Sequence, residues 1–250
     1  LSITDDDPVR EERQIAELAR MRARALILTP TSGLTARSAA MLADLRVVQM
    51  VRRHDDVAAD LVVADDREPV AAATRHLIDT GHRRIAYIGG GAQTLSTGRE
   101  RLAGYLDALA AHGLSGFARH ELGPPQPSFG AGAGHRLLSE RPRPDAVVLG
   151  SSQLTTGFLG AAAAAGVTVP DALSFIAYDD PDWFAHWGPG ITAAVLPSAQ
   201  ISRAVAAFAC EEEPPDPPAR IVSGNEARIL IYPVRLARRG SVATRAHEPR

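Results

Sequence analysis

Gly81-His82-Arg83-Arg84-Ile85-Ala86-Tyr87-Ile88-Gly89-Gly90-Gly91 holds a short, continuously apolar run, 85–88, between one glycine and a run of three. Uninterrupted apolar residues without polar alternation suit a strand covered on both faces, as in a parallel sheet. Upstream, residues 68–80 read as a helix that stops at Gly81, a residue type that closes helices at the C′ position. Downstream, residues 97–112 read as a second helix stopping at Gly113. Helix, strand and helix in this order form the repeating unit of an α/β fold.

The same alternation extends in both directions. Residues 25–28, 47–51, 61–63, 146–149, 173–178 and 191–195 are further apolar, strand-like runs, and 8–21 and 154–165 are further helices. The first of these helices opens on Asp5-Asp6-Asp7 followed by Pro8, an acidic cap with proline in the first turn. So many parallel strands fit two modest sheets better than one, so the expected fold is α/β in two lobes. Residues 211–218 (EEEPPDPP) cannot continue a helix and are expected to be an exposed loop. Residues 241–250 are expected to form a flexible tail, with Arg235, Arg238, Arg239 and Arg245 a solvated basic cluster.

Composition narrows the function classes. The formal charge is −2, so no global attraction for nucleic acid exists within these 250 residues. A single cysteine, Cys210, rules out an internal disulfide framework or a cysteine-based metal site. No apolar run approaches the about 20 residues of a membrane span, so no membrane partner is expected. No secretory signal is visible, which says little about export, and the single cysteine fits a reducing, cytoplasmic compartment.

The glycine run 89–91 does not give GxGxxG at a helix start and no P-loop lysine follows, so a tight turn is expected rather than a nucleotide loop. Ser151-Ser152 follows a strand without the GxSxG elbow of a hydrolase. The eight histidines lack ligand spacing, and His82, His112 and His120 fall at element ends, where solvated or capping roles are common. No catalytic residues, metal or cofactor are expected. Tyr178-Asp179-Asp180 closes a strand, and carboxylates at the carboxyl ends of parallel strands reach the crevice where α/β proteins bind ligands. Asp180 reads as a turn cap, Asp179 as a ligand group. Both tryptophans, Trp183 and Trp187, lie in the loop that follows, as aromatic walls beside polar groups or as core plugs.

The segments 81–90 and 96–105 (STGRERLAGY) closely resemble the signature of the lac-repressor (LacI/GalR) family. The resemblance continues in order through 4–8, 64–66, 166–170, 178–180, 191–192 and 232–236. It implies a two-lobed periplasmic-binding-protein-like (type I) fold, each lobe a parallel sheet flanked by helices. The lobes would be 1–81 with 197–231 and 82–196 with 232–240, with crossings near Gly81, Leu196-Pro197 and 231–233. An effector would lie in the inter-lobe cleft, held by Arg99, with Arg101 close by, and by Asp179. Thr97, Ser151, Trp183 and Trp187 complete the expected ligand-binding set.

Departures from the family pattern bear on the ligand. Ser151-Ser152 stands where many relatives have Asn-Asp, Leu196 where many have Gln, and Pro124-Pro125 where an aromatic is usual. A sugar or related small molecule remains the expected effector. The family's helix-turn-helix, hinge and first strand–helix unit have no counterpart here, which leads to the expectation that the natural protein is longer. On this reading the chain senses an effector for a homodimeric repressor that binds operator DNA through that absent segment. The alternative is a solute-binding protein of a sugar transport system; an enzyme is not expected.

Overall fold

The computed structural model describes residues 1–91, 93, 95–223 and 227–245. Its elements begin α1 (Pro8–Arg20), β1 (Leu26–Leu28), α2 (Ala36–Leu42), β2 (Val47–Met50), β3 (Asp60–Ala64), α3 (Arg67–Asp79), β4 (Ile85–Gly90) and α4 (Ser96–Ala111). They continue with β5 (Arg119–Gly123), α5 (Pro127–Ser139), β6 (Ala146–Leu149), α6 (Ser152–Ala164), β7 (Ser174–Tyr178) and α7 (Trp183–His186). The last are β8 (Ala193–Val195), α8 (Ser198–Ala209), β9 (Arg220–Ser223), β10 (Arg228–Tyr232) and β11 (Arg235–Ala237). The strands form two sheets, ordered β1-β2-β3-β10-β9 and β11-β8-β7-β6-β4-β5, as a two-sheet α/β protein requires. Among the described residues, only the pairs β10–β9 and β11–β8 run antiparallel.

The chain divides into two compact units. The first is Leu1–Asp65, Thr94–Ser96 and Pro197–Pro233; the second is Asp66–Gln93, Thr97–Leu196 and Val234–Arg250. The first break therefore falls before α3, not at Gly81. Its cause is the apolar stripe Val70, Ala73, Leu77 and Ile78, which α3 buries with Ile85, Val148 and Ile176 of the second sheet.

In the first unit, α1 starts as the acidic cap predicts. The Asp7 carboxylate accepts from the backbone N–H groups of Val9 (2.8 Å) and Arg10 (3.2 Å), with Pro8 in the first turn. Buried Glu11 accepts from the Thr31 amide (2.9 Å) and hydroxyl (2.7 Å), fixing the loop after β1. Helix α8 buries Ile201, Ala204, Val205 and Phe208, the i, i+3, i+4, i+7 stripe of an amphipathic helix.

In the second unit, neighbouring strand residues alternate between two cores. Ile85 and Tyr87, Ala146 and Val148, and Ile176 and Tyr178 face the α3/α4 side. Ala86 and Ile88, Val147 and Leu149, and Phe175 and Ala177 face the α5/α6 side. Gly81, at φ +95°, ends α3 as expected. Its N–H donates to the Ile78 carbonyl and that of His82 to the Leu77 carbonyl, a Schellman closure in a region that side chains with a Cβ avoid.

The expected tail is in part framework. The Ser241 hydroxyl, fully buried, donates to the Phe175 carbonyl (2.7 Å) and accepts from the Thr192 N–H (2.9 Å). Arg239 bonds Asp180, and the Arg245 N–H reaches the Thr80 carbonyl. Residues 246–250 lie outside the described residues. The stretch 211–218 is irregular, as its prolines dictate.

Candidate functional site

In the second sheet, β4 leads through α4 to β5 on one side, while β6 leads through α6 to β7 on the other. The chain direction across the sheet thus reverses between the neighbours β4 and β6. In open α/β sheets, the carboxyl ends of strands at such a reversal are where ligands bind.

Arg101, on α4, is the hub. Its Nε donates to Asp66 Oδ1 (2.6 Å) and its Nη1 to the Gly150 carbonyl just beyond β6 (2.8 Å). Its guanidinium carbon lies 3.7 Å over the Tyr178 ring, and the Tyr178 hydroxyl donates to the same Asp66 oxygen (2.7 Å). The side chains of Arg101 and Asp66 are only 14% and 10% exposed. Burial works most strongly against the Arg101 charge, but the Asp66 carboxylate and the neighbouring Tyr178 and Tyr87 phenols together outweigh it and raise the guanidinium pKa. Burial also raises the Tyr178 phenol pKa well above its ordinary value, so it stays a donor at neutral pH. One arginine thereby ties the start of α3, α4 and the ends of β6 and β7.

Tyr87 points its phenol at the same edge. It is fully buried, and its hydroxyl has no partner among the described residues. A Cβ on Gly89 would come within 2.4 Å of that hydroxyl and one on Gly150 within 2.7 Å. The glycine run is therefore not the turn expected from the sequence: Gly89 and Gly90 belong to β4, and Gly89 leaves room for the Tyr87 ring.

Asp179 follows β7 at φ +78°, an uncommon conformation for a residue with a side chain. Its N–H donates to the Ala194 carbonyl, which holds the residue against β8. Its carboxylate accepts from the Ser152 hydroxyl (2.9 Å) and the Asp180 N–H (2.9 Å). Ser151 caps α6, its hydroxyl accepting from the Leu154 N–H (3.2 Å). Asp180 is not a simple turn cap; Arg239 grips both its oxygens, at 2.7 and 2.8 Å.

The expected site set is thus only partly brought together. Arg101, Asp179 and Ser151 share the strand-end edge, and Thr97 is buried in the first turn of α4. Arg99 instead lies exposed on α4, paired with Glu100 and not with Asp179. Trp183, 38% exposed, begins α7 and packs edge-on against Phe184. Trp187 joins the core, edge-on to Phe175 with ring centroids 5.6 Å apart, so its indole is a plug and not a wall. His82 is fully buried, its ring nitrogens bonded to Ser174 Oγ (2.8 Å) and the Leu77 carbonyl (3.0 Å), and burial lowers its pKa. Of the two roles expected, solvated or capping, it takes the second, bonding the last turn of α3 from the interior. Sequence reading missed Asp66, Tyr87, Tyr178 and Arg239 as members of the edge. Strand-end position singled out Asp179, and the same signal extends to Tyr178 one residue earlier.

A family model described as a periplasmic binding protein-like domain matches residues 74–242, more than half of the chain. The HTH-type transcriptional repressor PurR of Pectobacterium carotovorum is 30% identical over 80% of this chain and 58% of its own length. The HTH-type transcriptional regulator GalR of Escherichia coli is 29% identical over 80% of this chain and 59% of its own length. The chain thus spans less than two thirds of the length of these relatives. A LacI family transcriptional regulator from Enterococcus faecium, solved with bound ribose, shares the fold at a TM-score of 0.81 and 20% identity, covering 94% of this chain and 85% of that one. The chain belongs to the periplasmic binding protein-like domain family, on its LacI/GalR branch.

Proposed function

We propose that the chain is the effector-sensing domain of a DNA-binding transcriptional repressor acting in the cytoplasm, and that its effector is a small polyhydroxylated molecule. The observation that carries this reading is the pair of opposite charges, Arg101 and Asp179, at the carboxyl-terminal edge of the second sheet where the chain direction reverses. A carboxylate that already accepts from a serine keeps lone pairs for sugar hydroxyls, and a guanidinium has five donors to share among oxygens. Ser151, at the start of α6, shares the strand-end edge, and Trp183, 38% exposed, would offer a ring face to the apolar side of a pyranose or furanose. Operator DNA would be read by a helix-turn-helix carried outside these 250 residues, in a homodimer, as the names of the relatives suggest. The effector would control that reading by binding one conformation of the repressor more tightly than another.

The ribose bound to the Enterococcus faecium relative makes ribose the first probe. Ribose, galactose, glucose and hypoxanthine are to be titrated by differential scanning fluorimetry and calorimetry. Saturable binding of one of the sugars supports the reading, with about 2.7 kcal/mol of stabilisation at a hundredfold excess over Kd. Binding of hypoxanthine alone contradicts the polyhydroxylated class, and no response to any of the four contradicts the sensing role.

A further inference from the structure

A cavity of about 480 Å³ opens at the opposite, amino-terminal end of the second sheet. It is lined by residues at the starts of β4 and β5 (Arg84, Ile85, Arg119), by Gly116 and Phe117 before β5, and by Glu140, Arg141, Pro142 and Pro144 before β6. Three arginines, Arg84, Arg119 and Arg141, face a single carboxylate, Glu140, in this lining.

The three are not equivalent. Arg84 is engaged: its Nε donates to the Arg143 carbonyl, and its Nη2 lies 3.7 Å from the Asp145 carboxylate. Among the described residues, Arg119 spends only Nη1, on the Ala118 carbonyl (2.8 Å). Arg141 likewise spends only Nη1, on the carbonyls of Ser139 (3.3 Å) and Glu140 (2.9 Å). Carbonyl oxygens satisfy a donor but leave the positive charge unneutralised, so both guanidiniums keep free N–H groups and full charge at the cavity. Beside them lies Phe117, a large apolar side chain left 48% exposed, with Pro142, Pro144 and Ile85 forming more apolar wall.

From this arrangement we propose a second ligand site, distinct from the carboxyl-terminal edge, for a small aromatic or planar anion whose phosphate or carboxylate is held by Arg119 and Arg141. The guanidinium fork matches the paired oxygens of these anions. The ring of the ligand stacks on Phe117, and the cavity volume falls in the range of small-molecule sites, about 300–1,000 Å³. Binding here weakens with salt, because both arginines are exposed and screened.

The test is calorimetric titration of the chain at low salt with phenyl phosphate, with inorganic phosphate and phenol as comparators. Phenyl phosphate is expected to bind more tightly than either comparator. Arg119→Gln and Arg141→Gln are each expected to weaken it about tenfold, the scale of one lost charge-assisted hydrogen bond, at unchanged Tm. Phe117→Ala is expected to bring its affinity down to that of inorganic phosphate, and Asp179→Asn to leave it unaltered. Affinity unaffected by both arginine substitutions overturns the proposal, as does absence of phenyl phosphate binding. Equal affinity for phenyl phosphate and inorganic phosphate in the unsubstituted chain overturns the aromatic part and leaves an adventitious ion only.

Discussion

The two ends of the second sheet use arginine in opposite ways. At the carboxyl end, Arg101 and Arg239 are each bonded to a carboxylate, and Arg101 is almost wholly enclosed. At the amino end, Arg119 and Arg141 bond only carbonyls among the described residues and are exposed. A buried pair fixes where strand ends and helices meet, which a selective site requires before any ligand arrives. Exposed, carbonyl-capped guanidiniums keep their charge for an incoming anion but organise little. The difference teaches that the number of arginines near a cavity says less than what already holds them.

Breaking the buried hub should give the largest effect. Arg101→Met leaves Asp66 with its charge enclosed and its main cationic partner gone, and should destabilise the chain by about 3–5 kcal/mol in urea denaturation. A loss below about 1 kcal/mol, the range of an exposed pair, would erase the contrast between the two ends. Arg239→Ala should cost less, about 1–3 kcal/mol, because Asp180 loses two charge-assisted bonds but keeps some access to water. The same experiment on Arg141→Gln at the amino end should move stability by no more than about 0.5 kcal/mol.

A smaller, pH-dependent effect comes from His82. Burial holds its folded-state pKa below the ordinary 6.5, so the unfolded chain takes up a proton there before the folded chain does. Its neutral form is fully compatible with folding above pH 6.5, and stability falls as pH drops below that value towards the folded pKa. The decline has a limiting slope of about 1.4 kcal/mol per pH unit for one site. His82→Gln should flatten the fall in Tm as pH drops below about 6.5, while His76, also lowered by burial, leaves a residual slope. An identical slope in the variant would show that His82 titrates normally.

Much of the framework was legible because it rests on local rules. Asp7 with Pro8, and Gly81 after an apolar-striped helix, act through bonds to residues two to five positions away, so sequence alone exposes them. Helix α8 was not expected from the sequence, although Ile201, Ala204, Val205 and Phe208 keep helical spacing. The strands β5, β9 and β11 are short and mixed in polarity, and they are defined by pairing with other strands that no local pattern reveals. Strand β10 was missed although residues 229–232 are a continuous apolar run.

The site was legible as a neighbourhood but not residue by residue. Arg99 and Arg101 are two positions apart on one helix, where i and i+2 side chains point to different faces, so only one of them can reach the sheet edge. A motif holding both arginines cannot choose between them; the packing of α4 does, in favour of Arg101. Trp183 and Trp187 divide for a related reason. Helix α7 ends at His186, and Trp187, in extended conformation, turns its indole into the core.

The central claim is that effector recognition lies with the strand-end charges and not with the exposed arginine of the same motif. Calorimetric titration of ribose, or of whichever sugar binds the unsubstituted chain, into Asp179→Ala and Arg99→Ala tests it most directly. The account predicts a loss of about 1–3 kcal/mol of affinity in Asp179→Ala, the scale of a charged hydrogen bond, and unchanged affinity in Arg99→Ala. Unchanged affinity in Asp179→Ala, or a loss of that size in Arg99→Ala, would contradict it.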